Sequence, residues 1–248
     1  MLNGRRSDNF ILMKISLVIP AYNEEKYIGA CLESIEKYGK DFFEVIVINN
    51  GSDDRTGEIA RSFSFVRLVN EPTKGLPRAR QRGLEEAKGD LIAYVDADTK
   101  IPTDWIEKIN REFNKDSKLV CLSGPYVCYD ASLPLRFFMW IYFTLLAVPT
   151  YFIIGYMAIS GNLVMKKNIL ESIGGFDHNI SFYGDDTDIA KRASAIGKVK
   201  FMKNFYMYTS ARRMNKDGVL ITAFRYVINF FAIVFIGKPI TYTHSDIR

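Results

Sequence analysis

The sequence Leu91-Ile-Ala-Tyr-Val-Asp-Ala-Asp98 runs from five apolar residues directly into two carboxylates. The apolar run has the length of a buried strand and carries no charge. Asp96 and Asp98 are two residues apart, and alternation along an extended chain places such side chains on the same side. Two carboxylates at the end of a strand can share a hard divalent cation and leave sites for diphosphate oxygens. A solvated acidic loop before a helix capped near Thr103 explains the same residues, so the motif alone leaves both interpretations open.

Upstream of this stretch, strand patterns alternate with helical patterns. Strands are predicted at 15–19, 43–48 and 66–69, and helices at 24–38, 56–63 and 76–88. Strands separated by helices predict a parallel α/β sheet covered on both faces. Ligands of such sheets lie beyond the carboxyl ends of the strands. We therefore expect segments 20–25, 49–54 and 96–98 along one edge of the sheet.

The second half of the sequence is less regular and more apolar. An uncharged run covers 137–159, a strand-like segment covers 159–165, and a helix follows to Ile173. Another helix is expected from about Asp186 to Ile196, then a basic linker and a hydrophobic segment at 219–237. One continuous domain with a membrane-facing appendage fits this pattern better than two independent domains.

Five further polar segments each have a structural and a functional interpretation. Turn and cap residues at 21–25 and 49–54 can begin helices or contact a nucleotide. Arginines at 78, 80 and 82 can be solvated or meet phosphates. Acidic residues at 185–188 suit a helix N-terminus, and adjacent carboxylates also suit a general base. Arg212-Arg213 can be a surface pair or a diphosphate clamp.

The order of these segments strongly resembles that of the family-2 glycosyltransferases. The motifs are Pro20-Ala-Tyr-Asn-Glu24, Asn49-Asn-Gly-Ser-Asp-Asp54, Gly75-Leu-Pro-Arg-Ala-Arg80, Asp96-Ala-Asp98, Gly161-Asn162, Gly174-Gly-Phe-Asp177, Asp185-Asp-Thr-Asp188 and Arg212-Arg213. The resemblance covers residues 14 to about 216. It implies a GT-A fold, a Rossmann-like and mostly parallel α/β sheet with helices on both faces, followed here by C-terminal hydrophobic helices.

The resemblance also implies a role for each motif residue. Contacts to a nucleotide-diphospho-sugar fall to Pro20, Ala21, Asn23, Glu24, Asn50, Asp54, Arg80, Asp96 and Arg213. Asp98 matches the ligand of a divalent metal, Mn²⁺ or Mg²⁺, and Asp186 the carboxylate that deprotonates the acceptor hydroxyl. The acceptor-site candidates are Gly161, Asn162 and Asp185. Such enzymes invert the anomeric centre, with metal and Arg213 stabilising the departing diphosphate.

Two departures from the family pattern bear on the donor. Asn49-Asn50 stands where an acid is more common, although an amide oxygen can accept the same hydrogen bond from a base. Gln81 stands where Asn more often follows Ala-Arg. Both positions concern the base and sugar of the donor rather than the reaction type.

The resemblance divides the chain into a flexible N-terminal extension (1–13), a catalytic domain (14–216) and a C-terminal membrane-associated or interface helix (217–248). The catalytic domain has a nucleotide-binding half (14–100) and an acceptor half (101–216). The expected reaction transfers a sugar, with UDP-sugar favoured, to a lipid-linked or saccharide acceptor in polysaccharide or glycolipid synthesis. One alternative is a non-catalytic scaffold subunit. The other is a sugar-phosphate nucleotidylyltransferase, which would need a basic, glycine-rich loop where residues 21–25 are acidic.

Charge and cysteine content indicate a compartment. From residue 187 onward the chain has eleven Lys or Arg and three Asp, so this part carries a net charge of +8. Such a segment suits phosphates or an anionic membrane surface. No basic-aromatic recognition motif supports nucleic acid. Three cysteines, an odd number without metal-binding spacing, indicate a reduced, cytosolic protein.

The apolar segments 137–159 and 219–237 are long enough to span a bilayer. A single crossing by the first would separate Asp98 from Asp186, and Arg225 is costly at the centre of the second. We therefore expect in-plane helices, the first broken at Pro149 and Gly155, in a cytoplasmic protein that is peripheral on the inner face of the cell membrane. The alternative is two core or dimer-interface helices, the latter in a homo-oligomer.

Overall fold

The structure is a computed structural model that describes residues 12–180 and 184–241. The predicted flexible extension, 1–13, lies outside the described residues except for Leu12 and Met13. Met13 already belongs to the folded domain, because its backbone N–H donates to Asn110 Oδ1 at 3.2 Å and its side chain packs against the core.

A seven-stranded sheet forms the centre of the molecule, in the order β3-β2-β1-β4-β8-β6-β9. Its strands are β1 (Ile15–Ala21), β2 (Glu44–Asn49), β3 (Val66–Asn70), β4 (Leu91–Val95), β6 (Leu119–Ser123), β8 (Asn162–Lys166) and β9 (Lys198–Phe201). The strand pairs are parallel except for those of β8, which runs antiparallel to β4 and β6. The predicted α/β class with a mostly parallel sheet is confirmed.

The direction of β8 matters for the ligand edge of the sheet. Asn162, its first residue, pairs with Val95, the last residue of β4. The loop before β8 therefore reaches the same edge as the carboxylates that follow β4. A strand parallel to β4 would have placed that loop at the opposite edge.

Helices cover both faces of the sheet. They are α1 (Ile28–Tyr38), α2 (Thr56–Arg61), α3 (Leu76–Glu86), α4 (Trp105–Lys115), α7 (Lys167–Ser172) and α8 (Asp185–Ser194). Helices α1 and α4 pack in one apolar cluster, and α3, α7 and α8 pack in a second. The three cysteines are free and buried, each in a different apolar cluster of the protein.

A second sheet of three short strands flanks the first. It consists of β5 (Thr99–Lys100), β7 (Tyr126–Cys128) and β10 (Met207–Thr209), in the order β5-β10-β7. The prediction of a basic linker between 197 and 218 was therefore wrong. That segment contains β9, β10 and α9 (Arg212–Asp217), which are too short to show a clear hydrophobic period.

The first apolar segment is one long helix, so the predicted break at Pro149 was also wrong. It runs through α5 (Leu133–Ile141), a π-helical turn (Tyr142–Ala147) and α6 (Val148–Ile154), and ends at Gly155 with φ +86°. Proline lacks an N–H and crowds the carbonyl four residues before it. The wider π-helical turn just before Pro149 accommodates both effects.

The second apolar segment forms α10 (Val219–Ile236). Both long helices are apolar and long enough to cross a membrane by length and composition alone. In their most apolar windows only 17% and 22% of the residues are buried, respectively. These fractions contradict the interpretation of the two segments as buried core helices, because most of their residues are half-buried or exposed.

Candidate active site

Asp96 and Asp98 lie at the carboxyl end of β4 and have different partners. Asp96 accepts hydrogen bonds from Tyr126 Oη at 2.8 Å and from Arg80 Nη2 at 3.3 Å. Asp98 Oδ2 lies 2.9 Å from Arg212 Nε, and its side chain is 11% exposed. Burial, with Asp96 and Glu24 nearby, raises the pKa of Asp98 to about 7 against the opposing charge of Arg212.

Arg212 holds two carboxylates of the cleft at once. Its guanidinium donates to both oxygens of Glu24, at 2.7 and 2.6 Å, in addition to its contact with Asp98. It also lies over the ring of Tyr27 at 4.5 Å. Such a forked pair is geometrically specific and charge-assisted. Glu24, predicted to contact the nucleotide, is therefore paired with Arg212 in this structure.

Arg80 is buried rather than turned toward solvent. Its guanidinium forms ion pairs with Asp185 and Asp96, and its residue is 2% exposed. The assignment of Arg80 to the nucleotide is therefore not reflected in its contacts. Instead it links Asp96, in the predicted nucleotide-binding half, to Asp185, in the predicted acceptor half.

Asp185 and Asp186 begin α8, directly after Gly184 in a left-handed conformation. Asp185 is buried, and Ser160 Oγ lies 3.4 Å from its Oδ1. Asp186 Oδ1 accepts a hydrogen bond from the Thr187 N–H at 2.7 Å. Burial, assisted by the charge of Asp185, raises the pKa of Asp186 to about 7. A carboxyl group with a pKa near neutrality is suited to accept a proton at physiological pH.

The two turns assigned to the nucleotide are held by their own polar side chains. Asn50 Nδ2 donates to the carbonyls of Glu71 and Thr73, and its Oδ1 accepts from the Gly75 N–H at 2.8 Å. Asp54 accepts from the Thr56 N–H at 2.9 Å and from the Glu25 N–H at 3.0 Å. These contacts shape the loops, so the nucleotide roles of Asn50 and Asp54 stay predictions.

Residues 20–23 form the end of β1 and the start of the turn that follows it. Pro20 lines the active-site cavity, and the Ala21 carbonyl accepts from the Asn50 N–H at 2.8 Å. Asn23 has a positive φ of 52°, and its Oδ1 accepts from the Asp53 N–H. This hydrogen bond connects the two predicted nucleotide loops, and the positive φ of Asn23 is a backbone conformation that few residues other than glycine adopt.

The acceptor-site candidates differ in accessibility. Gly161 lines the cavity, and a Cβ at this position would come within 2.1 Å of Asp96 Oδ2. Asn162 is fully buried: it donates to the carbonyls of Gly124 and Phe205 and accepts from Trp105 Nε1. The amide of Asn162 therefore offers no group to an acceptor in this structure. Arg213 lines the cavity, and its role at the diphosphate stays a prediction.

A cation at Asp98 would be shared with a substrate rather than enclosed by the protein. Within 12–180 and 184–241 no group of three or more His, Cys, Asp or Glu residues is arranged to hold a metal ion. Mg²⁺-type sites commonly use one or two carboxylates together with substrate phosphates. The buried carboxyl of Asp98 beside Asp96 fits that arrangement, with Arg212 as its present positive partner.

These carboxylates and two apolar helices line the same cavity of about 270 Å³. Its polar lining includes Asp96, Asp98, Asp185 and Asp186, which come from both predicted halves of the domain. The apolar lining comes from the helix Leu133–Ile154 and from α10. The site thus places acids from both predicted halves of the domain next to a hydrophobic wall.

Sequence reasoning assigned no site role to Tyr126 or Ser160. Neither residue belongs to a recognisable motif, and the contacts that bring them to Asp96 and Asp185 are long-range. The inward position of Arg80 did have a signal. Arg80, Gly83 and Leu84 are spaced three and four residues apart, so they share the buried face of α3.

Known proteins resemble this chain in both sequence and fold. The family model described as "Glycosyl transferase family 2" matches residues 16–174. The putative glycosyltransferase EpsH of Bacillus subtilis (strain 168) is 34% identical over 110 residues, which is 43% of this chain and 32% of EpsH. The probable glycosyltransferase YdaM of the same organism is 29% identical over 212 residues, covering 75% of this chain and 48% of YdaM. The chain thus spans less than half the length of these relatives.

The fold is shared with solved structures at low sequence identity. The mannosyltransferase PcManGT from Pyrobaculum calidifontis, in complex with GDP-Man and Mn²⁺, has a TM-score of 0.67 at 19% identity, over 89% of this chain and 63% of that one. S. aureus TarS 1–349 in complex with UDP has a TM-score of 0.66 at 19% identity, over 93% and 68%. These likenesses confirm the predicted GT-A fold. Since the family model covers well over half of the residues, the chain belongs to glycosyl transferase family 2.

Proposed function

We propose that this protein is an inverting glycosyltransferase that moves a sugar from a nucleotide diphosphate to a hydroxyl group of a lipid-linked or saccharide acceptor. The observation that carries the proposal is one cavity lined by Asp96 and Asp98 together with Asp185 and Asp186. The first pair follows the central strand β4, where ligands of such sheets bind. The second pair supplies carboxyl groups for the acceptor.

In the proposed reaction, Asp186 takes the proton of the acceptor hydroxyl. The hydroxyl oxygen forms a bond to the anomeric carbon as the bond between that carbon and the diphosphate oxygen breaks. The electron pair leaves with the nucleoside diphosphate, and the proton stays on Asp186. Attack opposite the leaving group in a single step inverts the anomeric centre. The raised pKa of Asp186 matches it to proton transfer near neutral pH.

Asp98, beside Asp96, is the residue that would hold a divalent cation, Mn²⁺ or Mg²⁺. A bound cation neutralises charge that develops on a departing diphosphate. The presence of Mn²⁺ in PcManGT, which has the same fold, supports a divalent cation in this protein. Arg212, now paired with Asp98 and Glu24, and Arg213 beside it supply the cationic groups of the chain for the same diphosphate.

The donor class can be tested by thermal unfolding with nucleotides. We expect UDP with Mn²⁺ to raise Tm most, because the resemblance to the family favours a UDP-sugar. GDP is tested beside it, because the solved neighbours bind UDP and GDP-Man. At a ligand concentration of 100 times Kd the stabilisation is about 2.7 kcal/mol. For a chain of this size that corresponds to a Tm increase of roughly 5–10 °C.

Three outcomes of this screen separate the alternatives. Stabilisation by nucleoside diphosphates that depends on Mn²⁺, together with transfer or hydrolysis of the matching nucleotide-sugar, supports the proposal. Preference for nucleoside triphosphates would favour a nucleotidylyltransferase. Binding of the diphosphate without hydrolysis or transfer to any acceptor would favour the non-catalytic subunit.

We further propose that the protein works in the cytoplasm, as a peripheral protein on the inner face of the cell membrane. In the sequence, the helix Leu133–Ile154 lies between β4 and β6 on one side and β8 on the other, and β8 pairs with both of these strands in one sheet. Crossing the bilayer there would split that sheet. Exposed apolar side chains instead suit an in-plane position, and they include Phe137, Trp140, Phe152, Ile153, Leu220, Phe224 and Phe235. Lys203 lies over the Trp140 ring, and Lys216 and Lys238 are exposed nearby in sequence.

We expect the protein to sediment with anionic vesicles and to be only partly released by salt. Each Lys or Arg near an anionic surface contributes about 1 kcal/mol, which salt screens. Apolar insertion adds a part that salt does not remove. Phe152→Glu should weaken sedimentation, whereas Phe43→Glu, an exposed phenylalanine beside β2, should not. Absence of pelleting at low salt would overturn the membrane proposal. Concentration-dependent dimers would then identify these helices as a homo-oligomer interface.

A further inference from the structure

We infer that the cavity between the helix Leu133–Ile154 and α10 binds the hydrocarbon chain of the acceptor, so that the acceptor is a membrane lipid with a hydroxyl-bearing headgroup. This inference rests on the proposed function and specifies one of its two acceptor classes. It comes from the juxtaposition of an apolar wall with the carboxyl groups of the site.

The apolar wall is built from two elements that are far apart in sequence. Three of its side chains lie on the first helix and three on α10: Phe138, Tyr142, Leu146, Ala223, Val227 and Phe230. Leu146 is exposed and the other five are half-buried. They therefore retain apolar surface that a ligand can cover. Covering such surface with a hydrocarbon chain is favourable in proportion to the area removed from water.

The same wall is unfavourable for a free sugar. A saccharide pressed against these side chains would lose water from its hydroxyl groups and could regain hydrogen bonds only at Tyr142, because the other five side chains have no polar atoms. All charged side chains that line the cavity lie outside the first helix and α10, and Asp96, Asp98 and the two acids that begin α8 are four of them. A molecule with a hydroxyl headgroup at Asp186 and an apolar chain along the wall satisfies both parts.

The charge of the site selects between two kinds of headgroup. Glu24, Asp96, Asp98, Asp185 and Asp186 line the cavity together with Arg80, Arg212 and Arg213. Arg80 is paired with Asp96 and Asp185, and Arg212 with Glu24 and Asp98, whereas Asp186 forms none of these ion pairs. An anionic phosphate attacking from the side of Asp186 would meet the carboxylates at the start of α8. It would also need no base, because its oxygen is already ionised. A neutral hydroxyl group avoids the repulsion and gives Asp186 a proton to accept.

The outer surface of the same helices indicates where the chain comes from. Phe137 and Leu145 are exposed on the first helix, as are Leu220 and Phe224 on α10. A lipid can pass from a bilayer into a groove between two helices that lie in the membrane interface without exposing its chain to water. A soluble amphiphile would not need that exposed apolar surface.

The inference can be tested by calorimetric titration with n-alkyl β-D-glucosides, from methyl to decyl, below their micelle concentrations and with UDP and Mn²⁺ present. Each buried methylene tightens binding by about three- to fourfold. We expect Kd to fall at least about tenfold from hexyl to decyl, and decyl phosphate to bind more weakly than decyl glucoside. A Kd independent of chain length would overturn the inference, and tighter binding of decyl phosphate would overturn the hydroxyl headgroup.

A matched pair of variants locates the chain. Ala223→Phe places a ring in the cavity, and Ile221→Phe adds the same ring at an exposed position on the same helix that does not line the cavity. Ala223→Phe should remove most of the chain-length dependence, whereas Ile221→Phe should keep it. If the two variants change the chain-length dependence of Kd equally, the hydrocarbon chain lies on the outer surface, and the cavity assignment fails.

Failure of this inference is distinguishable from failure of the proposed function. A protein that hydrolyses or transfers from a nucleotide-sugar, but binds methyl and decyl glucosides equally, remains a glycosyltransferase with a saccharide acceptor. A protein that binds no nucleoside diphosphate contradicts the proposed function itself. Thermal unfolding of Ala223→Phe shows whether the variant is folded, and the chain-length series on the unaltered protein does not depend on any variant.

Discussion

Replacing Asp186 with Asn should lower turnover by roughly 10²–10⁴-fold and leave the binding of the nucleotide unchanged. The general base acts in the transition state, so its loss appears in kcat rather than in the Kd of the donor. Asn has nearly the shape of Asp and can still accept the hydrogen bond from the Thr187 N–H. The measurement pairs steady-state transfer rates with UDP titration in the presence of Mn²⁺.

The competing bases are already engaged by arginines. Asp185 pairs with Arg80, and Asp188 accepts a hydrogen bond from Arg192 Nε at 2.9 Å. Near-normal turnover of Asp186→Asn would nevertheless assign the base to one of these two acids. A loss of UDP binding equal to the loss of turnover would instead indicate a donor-site role.

The pH dependence of the unaltered protein provides an independent check. Asp186 must be ionised to accept a proton, and burial raises its pKa to about 7. At saturating donor and metal, turnover should therefore fall as pH decreases below about 7. The raised pKa of Asp186 affects stability in the opposite direction. The folded state favours the protonated acid, so the free energy of unfolding decreases as the pH rises from about 4, the ordinary pKa of an aspartic acid, to about 7. Asp186→Asn should thus be at least as stable as the unaltered protein at pH 8.

Asp98→Asn should abolish the Mn²⁺-dependent part of nucleotide binding while the protein remains folded. The substitution removes a charge at the proposed cation position without leaving a void in the core. Arg212 keeps its two hydrogen bonds to Glu24 in the variant. The expected observation is that the Tm increase of roughly 5–10 °C with UDP and Mn²⁺ falls to the value measured with UDP alone.

Asp116→Asn is the charge-matched control for this experiment. Asp116 lies just before β6, at the edge of the sheet opposite the site, where it pairs with Lys198. It should retain the full response to Mn²⁺. If Asp98→Asn binds UDP as tightly as the unaltered protein and with the same Mn²⁺ dependence, Asp98 is not the metal ligand.

The first half of the fold was predictable because its strands are buried on both faces. All residues of β1 and β4 are buried, so their sequences read as continuous apolar runs bounded by turns. The predicted segments 15–19 and 91–95 consequently match the observed strands closely. Helix α1 begins at Ile28 instead of residue 24, because Asn23 adopts a positive φ and Glu24 closes a turn.

The second half was less predictable because its structure depends on distant partners. Strands β7 and β10 have three residues each. They are held by hydrogen bonds between strands, since β10 pairs with both β7 and β5. No local pattern in the sequence specifies that pairing. Likewise, the π-helical turn before Pro149 cannot be read from the residues, and without it proline predicts a break.

The candidate site shows the same division. Asp96 and Asp98 follow an unmistakable strand, so their position at the sheet edge was expected. The direction of β8, which brings Ser160 and Gly161 to that edge, depends on a pairing across the sheet. The contact between Arg212 and Asp98 joins residues more than a hundred positions apart, and two adjacent arginines give no indication of which one pairs with Asp98.

The ion pair between Arg80 and Asp185 limits how such enzymes can be recombined. Arg80 comes from the half that precedes residue 100, and Asp185 from the half that follows it. Removing one partner of a buried pair costs roughly 3–5 kcal/mol, because the other charge is left without compensation. A chimera that exchanges only one half therefore needs an arginine at the position of Arg80 and an acid at the position of Asp185, so that both charges remain paired. The two predicted halves of the domain are therefore expected not to be exchangeable as independent modules.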